Sequence, residues 1–213
     1  MNKLPHIYYI NLKHRVDRKN NIEQNLKSVN YEFSKVTRID AIKNKIGTLG
    51  CLASHIIALK EALNNNDRLE YSIIIEDDFI FRPELDKTII QKTLLDCCFN
   101  KNIEWNVILL AMHGKVENPE YLNDTTKSLL KVKYSQTTSG YLIKKKYIPV
   151  LLNLWENLYE KTKHARSSIH RNLHMDIIWV KLQKDNWYVT NPKLGKQYLS
   201  YSDIENEVIN YNN

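Results

Sequence analysis

Three consecutive carboxylates, Glu76, Asp77 and Asp78, follow Tyr71-Ser72-Ile73-Ile74-Ile75 with no turn residue between. Three isoleucines in a row suit a strand covered on both faces, so the acids should emerge at its carboxyl end, where open α/β sheets bind ligands. Strand alternation puts Glu76 and Asp78 on one face and Asp77 on the other. Converging carboxylates repel unless something positive joins them. A hard divalent cation accepts such oxygen ligands and leaves positions open for substrate phosphates, where it would neutralise a diphosphate leaving group. A solvated acidic turn capping the following helix is the alternative reading of the same residues.

A second cluster precedes the acids. Gly47-Thr48-Leu49-Gly50-Cys51-Leu52-Ala53-Ser54-His55 places two of only five glycines just before a helix. Glycines there allow close backbone approach and leave helix N–H groups free to face an anion, while Ser54 and His55 offer a hydroxyl and an imidazole a turn later. The spacing matches neither the P-loop nor the dinucleotide fingerprint. A tight turn with a core-facing histidine accounts equally for these residues.

Elements that alternate between strand and helix must position these groups. Apolar runs predict strands over His6 to Leu12, Phe33 to Ile39, Tyr71 to Ile75, Trp105 to Leu110, Leu129 to Tyr134, Thr138 to Ile143 and Trp187 to Thr190. Helical spacing or a leading proline predicts helices over Val16 to Val29, Leu49 to Leu63, Pro83 to Cys98, Tyr147 to Tyr159 and Ile177 to Gln183. The expected fold is therefore α/β, a mostly parallel central sheet flanked by helices. No linker or repeat divides the chain, which reads as one domain over residues 1–213. Trp155, Tyr159 and Trp179 fall on helical stripes and read as core.

Composition narrows the function classes. The chain has 213 residues with 43% hydrophobic and 26% charged side chains, enough for one sizeable core. Its net charge of +7 and pI of about 9.1 raise the question of nucleic acid. Of 31 basic residues, however, 24 are Lys and 7 are Arg, whereas a base-reading surface favours the bidentate arginine fork. No nucleic-acid partner is expected on charge alone. The early apolar run, Ile7 to Ile10, is too short for a signal peptide or membrane span, and mean hydropathy is -0.49. Cys51, Cys97 and Cys98, odd in number with two adjacent, suit reduced thiols. These features predict a cytoplasmic protein with no transmembrane segment. Cys51 and His55 can share a helix face, but no CxxC or HxxxH spacing completes a zinc set, and no zinc site is expected.

The ordered pieces carry a resemblance: Ile10-Asn11-Leu12-Lys13-His14-Arg15-Val16-Asp17-Arg18, then Arg38-Ile39-Asp40-Ala41, the stretch from Gly47 to Leu59, and Ile73 to Asp78. Ser139 to Ile143, His174-Met175-Asp176 and Pro192 through Gln197 to Ser202-Asp203-Ile204 extend it over almost the whole chain. In this set the sequence resembles glycosyltransferase family 25, the lipopolysaccharide and procollagen galactosyltransferases. The resemblance implies a GT-A-like nucleotide-sugar-binding domain. It also implies a UDP-hexose donor (UDP-galactose or UDP-glucose), a Mn²⁺ or Mg²⁺ cofactor, and transfer with inversion to a hydroxyl of a glycan or protein, such as a collagen-like hydroxylysine. By the same resemblance Glu76, Asp77 and Asp78 match the metal motif, with Asp78 the first choice as ligand. Asn11, Arg15 and Arg18 are implied nucleotide or diphosphate contacts, Asp40 lies near the nucleoside, and Ser54 and His55 match a Ser-His pair. Asp176 is the candidate catalytic base, with a helix N-cap before Ile177 as its alternative, and His174 is a further candidate metal ligand or diphosphate contact.

Lys43, Asn44 and Lys45 in a short link, and Thr48 where an acid is frequent, depart from the family pattern. They leave the acceptor open. Two other classes are compatible with the sequence: a catalytically degenerate nucleotide-sugar-binding domain and a basic nucleic-acid-binding protein.

Overall fold

A computed structural model describes residues 4–66, 69–99, 103–117, 128–198, 200–202 and 207–209. Along the chain run β1 (His6–Asn11), α1 (Val16–Ser28), β2 (Val36–Asp40), α2 (Gly47–Asn64), β3 (Tyr71–Glu76), β4 (Phe79–Phe81) and α3 (Lys87–Phe99). Next come β5 (Val107–Leu109), β6 (Gly114–Val116), β7 (Leu129–Ser135), β8 (Gly140–Lys144), α4 (Ile148–Thr162), α5 (Met175–Ile178) and β9 (Trp187–Thr190). Three short strands finish the described chain: β10 (Gly195–Gln197), β11 (Ser200–Ser202) and β12 (Glu207–Ile209).

Eight strands form one sheet in the order β2-β1-β3-β8-β5-β9-β7-β6. Six run in one direction and only β8 and β7 oppose them, so the sheet is mostly parallel. Helices cover both faces, which is why the central strands are apolar throughout. Period-2 alternation sorts their side chains. Tyr8, Ile10, Ile74, Tyr141 and Ile143 join α2 and α4 in one core, while Ile7, Tyr9, Ile73, Ile75 and Leu142 join α1 and α3 in the other. Trp155 and Trp179 are fully buried, in the first core as expected, and Tyr159 packs on its edge.

Several elements differ from the sequence reading. Phe33–Lys35 is a 3₁₀ turn and the second strand begins at Val36. The helix predicted from Pro83 starts at Lys87, because the Asp86 carboxylate accepts the N–H of Thr88 at 2.7 Å and its hydroxyl at 2.6 Å, an N-cap interaction that outweighs the proline signal. Ile177 to Gln183 divides into α5 and a 3₁₀ turn at Trp179–Leu182. The three-residue strands β4, β6 and β10 were not predicted, since they are too short to show a period.

One of these short strands aims the acids. β4 pairs antiparallel with β10, setting Phe79 opposite Gln197 and Phe81 opposite Gly195. A Cβ on Gly195 would lie 2.0 Å from the Phe79 ring, and one on Gly140 2.5 Å from it. Phe79 is thus clamped between two glycines that only a missing side chain lets approach so closely. The residue before it is Asp78.

Candidate active site

The carboxyl ends of β1, β2 and β3 meet the first turn of α2 around a cavity of about 340 Å³. Its walls include His14, Arg18, Lys43, Gly47, Ser54 and the three acids. Glu76, still on β3, keeps the α2 face shared with Ile74, and Asp77 turns to the α1 face. Asp78 lies beyond the strand in a turn. There the expected alternation ends, and Asp77 and Asp78 both approach Arg18.

Each acid has its own support. His55 Nε2 lies 3.2 Å from Glu76 Oε1 and its Nδ1 3.2 Å from the Tyr141 hydroxyl. A carboxylate only accepts, so His55 Nε2 carries a proton and donates it to Glu76. The Thr138 hydroxyl donates to the same Glu76 oxygen at 2.7 Å. Burial alone would raise Glu76, but the His55 and Thr138 hydrogen bonds bring it below the ordinary glutamate value. Asp77 accepts from Arg18 Nη1 and Asn11 Nδ2, both at 2.7 Å, yet burial still leaves it raised.

Asp78 has the least support. Arg18 Nη1 stands 3.7 Å from its Oδ2, and Gln197 adds a side-chain hydrogen bond. Burial first, then the charges of Glu76 and Asp77, push it up to about 8. Asp78 Oδ1 is buried without a hydrogen-bond partner among the described residues. An orphaned buried carboxylate oxygen amid two further acids fits a hard divalent cation. The alternative of a solvated acidic turn is excluded, since the three side chains are only 20%, 9% and 13% exposed.

A second cavity of about 370 Å³ adjoins the first at Cys51, Glu76 and Gln197 and carries Asp176, His174, Thr48 and Thr138 on its wall. Asp176 lies within the first turn of α5, whose N-cap is His174. The helix-cap reading of Asp176 is therefore overturned, because the helix starts two residues earlier than its apolar run suggested. Burial raises the Asp176 pKa, Glu76 adds to the rise, and His174 opposes it. Its carboxylate faces a cavity shared with Glu76 and holds protons more tightly than an ordinary aspartate.

Other expected site residues are tied to neighbouring elements. Asn11 is buried and joins three elements: it donates to Asp77 and the Arg15 carbonyl, and accepts from Arg38 Nε at 3.0 Å. Ser54 donates to the Gly50 carbonyl and accepts the Ile42 N–H at 2.8 Å, fixing the loop after β2 to α2. A Cβ on Gly50 would come within 2.5 Å of the Ile42 carbonyl, so that glycine admits a backbone neighbour, while Gly47 borders the cavity. Arg15 forms a two-pronged pair with Asp17 at 3.0 and 2.9 Å and is not on the cavity wall. Asp40 is 73% exposed at the end of β2 and paired with Arg38.

Sequence reasoning missed Gln197, which lines both cavities and grips Asp78, although its motif segment was noted. It missed Thr138, which donates to Glu76 and carried no motif, and Tyr141, which bonds His55 and lies inside the Ser139 to Ile143 segment. Lys43 and Asn44, marked only as departures, stand on the wall of the first cavity. Cys51, His55 and Glu76 offer ligand atoms within 4.8 Å of one another. The third member of this set comes from β3 and not from another cysteine, since Cys97 and Cys98 lie on α3. A metal at His55 Nε2 would require the other tautomer, with Nδ1–H donating to Tyr141.

The family model for glycosyltransferase family 25 (LPS biosynthesis protein) matches residues 45–167. The chain belongs to glycosyltransferase family 25. The match covers the α2 segment, the acids and the residues that orient Glu76, namely His55, Thr138 and Tyr141, while Asn11, Arg18 and Gln197 lie outside it. This family 25 chain is 28% identical over 176 residues to procollagen galactosyltransferase 1-B of Xenopus laevis, covering 69% of this chain and 28% of the relative. It is 26% identical over 163 residues to procollagen galactosyltransferase 2 of Homo sapiens, covering 64% and 25% respectively. It thus spans about a quarter of the length of the curated relatives it matches. A glycosyltransferase involved in glycosylation of the major capsid of PBCV-1 superposes with a TM-score of 0.44 and 11% identity, over 88% of this chain and 94% of that one. No helix among the described residues of the family 25 chain is long and apolar enough to cross a membrane.

Proposed function

We propose that the chain is a GT-A-type, metal-dependent inverting hexosyltransferase that moves galactose or glucose from a UDP-sugar to a hydroxyl of a glycan or protein acceptor. The observation that carries this reading is the adjoining pair of cavities: the three acids line the first, Asp176 lines the second, and Glu76 borders both. The procollagen galactosyltransferases among its relatives favour galactose and make a collagen-like hydroxylysine one candidate acceptor.

In this reading the first cavity takes the donor. The first turn of α2 and Lys43 would face its diphosphate, since helix N-termini and lysine both favour phosphate oxygens. Glu76, Asp77 and Asp78 would hold Mn²⁺ or Mg²⁺, which when bound offsets the charge gained by the departing diphosphate. Arg18 and Asn11 fix Asp77, His55 and Thr138 fix Glu76, and Gln197 fixes Asp78, so the carboxylates need not reorganise during reaction. Asp176 acts from the second cavity. The acceptor oxygen bonds to the anomeric carbon from the face opposite the diphosphate, the bond to the diphosphate breaks, and the hydroxyl proton passes to the Asp176 carboxylate.

A donor screen by nucleotide release, with and without Mn²⁺, tests the reading. UDP-galactose or UDP-glucose should support turnover that chelation abolishes. Sugar-nucleotide binding without hydrolysis or transfer to any acceptor would instead mark a degenerate binding domain.

A further inference from the structure

A third cavity, of about 660 Å³, opens beside the other two. It shares His113, Gln136, Thr137 and Gln197 with the cavity that holds Asp176, so one extended molecule could occupy both. Its wall differs sharply in charge. Arg82, Lys115, Lys193 and Lys196 line it together with His113, and among the described residues no Asp or Glu lines it. The other two cavities both contain carboxylates.

The acids among the described residues do not cancel this charge. Glu84 pairs with Arg82 at 2.7 Å and approaches Lys196 at 3.8 Å, one carboxylate between two cations. Lys115 and Lys193 are exposed and have no ion-pair partner among the described residues. Among the described residues, four basic side chains stand against one carboxylate and leave a positive excess in a concave wall, the arrangement that concentrates anions. Gln136, Thr137, Ser139 and Tyr134 add hydroxyl and amide groups suited to sugar hydroxyls.

We infer that this cationic cavity is an acceptor subsite for a saccharide bearing a carboxylate or phosphate, with the reactive hydroxyl of the same molecule reaching Asp176. The inference rests on the transferase reading for the hydroxyl and on the cavity itself for the anion. Cations on this wall also lie away from the donor's diphosphate, so the two negative substrates need not compete for them.

The test is equilibrium binding to the full chain by NMR titration, with UDP and Mn²⁺ present to fill the donor cavity. Probes are glucuronic acid against glucose, glucose 6-phosphate against glucose, and inorganic phosphate alone. An anionic sugar should bind roughly tenfold or more tightly than glucose at low salt, and the preference should shrink once the Debye length falls to about 3 Å near 1 M salt. The winning arm tells carboxylate from phosphate. The double charge reversal Lys115→Glu with Lys193→Glu should abolish the preference while leaving melting temperature and UDP binding unchanged. Equal affinity for charged and neutral sugars, an undiminished preference in the double variant, or inorganic phosphate binding as tightly as glucose 6-phosphate would overturn the inference. Failure of UDP with Mn²⁺ to bind at all is a separate outcome, which contradicts the transferase reading and is read before any sugar is added.

Discussion

Asp78 shows how much a single side chain can report. Its pKa of about 8 arises from burial first, then from Glu76 and Asp77, with Arg18 and Gln197 pulling the other way. A carboxyl raised this far above its ordinary 3.8 contributes stability that is full below about pH 3.8 and is lost as pH rises through about 8. Metal-free protein should therefore melt at progressively lower temperature between pH 5 and 8.5, apart from other titrations, and Asp78→Asn should flatten that fall. Differential scanning fluorimetry across this range checks it; parallel curves for the two proteins would remove the assigned proton. Asp176 makes a different prediction. Because it lies within the first turn of α5 and not at its N-cap, Asp176→Asn should lower kcat by roughly 10²–10⁴-fold, the usual worth of a positioned base, with little change in KM or melting temperature. A loss of stability matching the loss of rate would return it to a structural role.

At the scale of elements, aim depends on close approach. Phe79 fills the space above Gly140 and Gly195, and its seat fixes the residue just before it. Gly195→Ala should cost about 1–3 kcal/mol by overpacking and weaken Mn²⁺ binding through the displaced Asp78, as read by chemical denaturation and metal titration. Normal stability with normal metal affinity would show that the clamp does not aim the acid. This element also marks the limit of what the residues disclosed in advance. Ile73 to Ile75 announced a covered strand and hence the place of the acids, and the glycine-led segment announced α2. Arg82 to Asp86 did not announce that Asp86 would begin α3, because proline and aspartate both signal a helix start and only contacts decide between them. β4 and β10 stayed hidden since three residues show no period, and so did the meaning of Gly195, whose partner is 116 positions away at Phe79. Arg15 and Arg18 looked alike in spacing, yet one pairs with the exposed Asp17 and the other grips Asp77.

Across the whole molecule, charge is arranged against the average. A chain of net charge +7 gathers three half-buried carboxylates at one sheet end and places a cationic cavity beside them. The acidic turn needs a positive partner, and a cation binding there must displace the Asp78 proton. The rise in melting temperature on adding Mn²⁺ should accordingly grow from pH 6 to pH 8.5, with protons released on binding that calorimetry in two buffers would count. A Mn²⁺ effect independent of pH would place the ion elsewhere. The central claim is that this turn, loaded with a divalent cation, drives departure of the diphosphate. It is tested most directly by UDP release from UDP-galactose and UDP-glucose by the parent chain and Asp78→Ala, at saturating Mn²⁺, with circular dichroism confirming that both are folded. Release by the parent with the better donor, and its loss in the folded variant, is the predicted result; undiminished release by Asp78→Ala would contradict it.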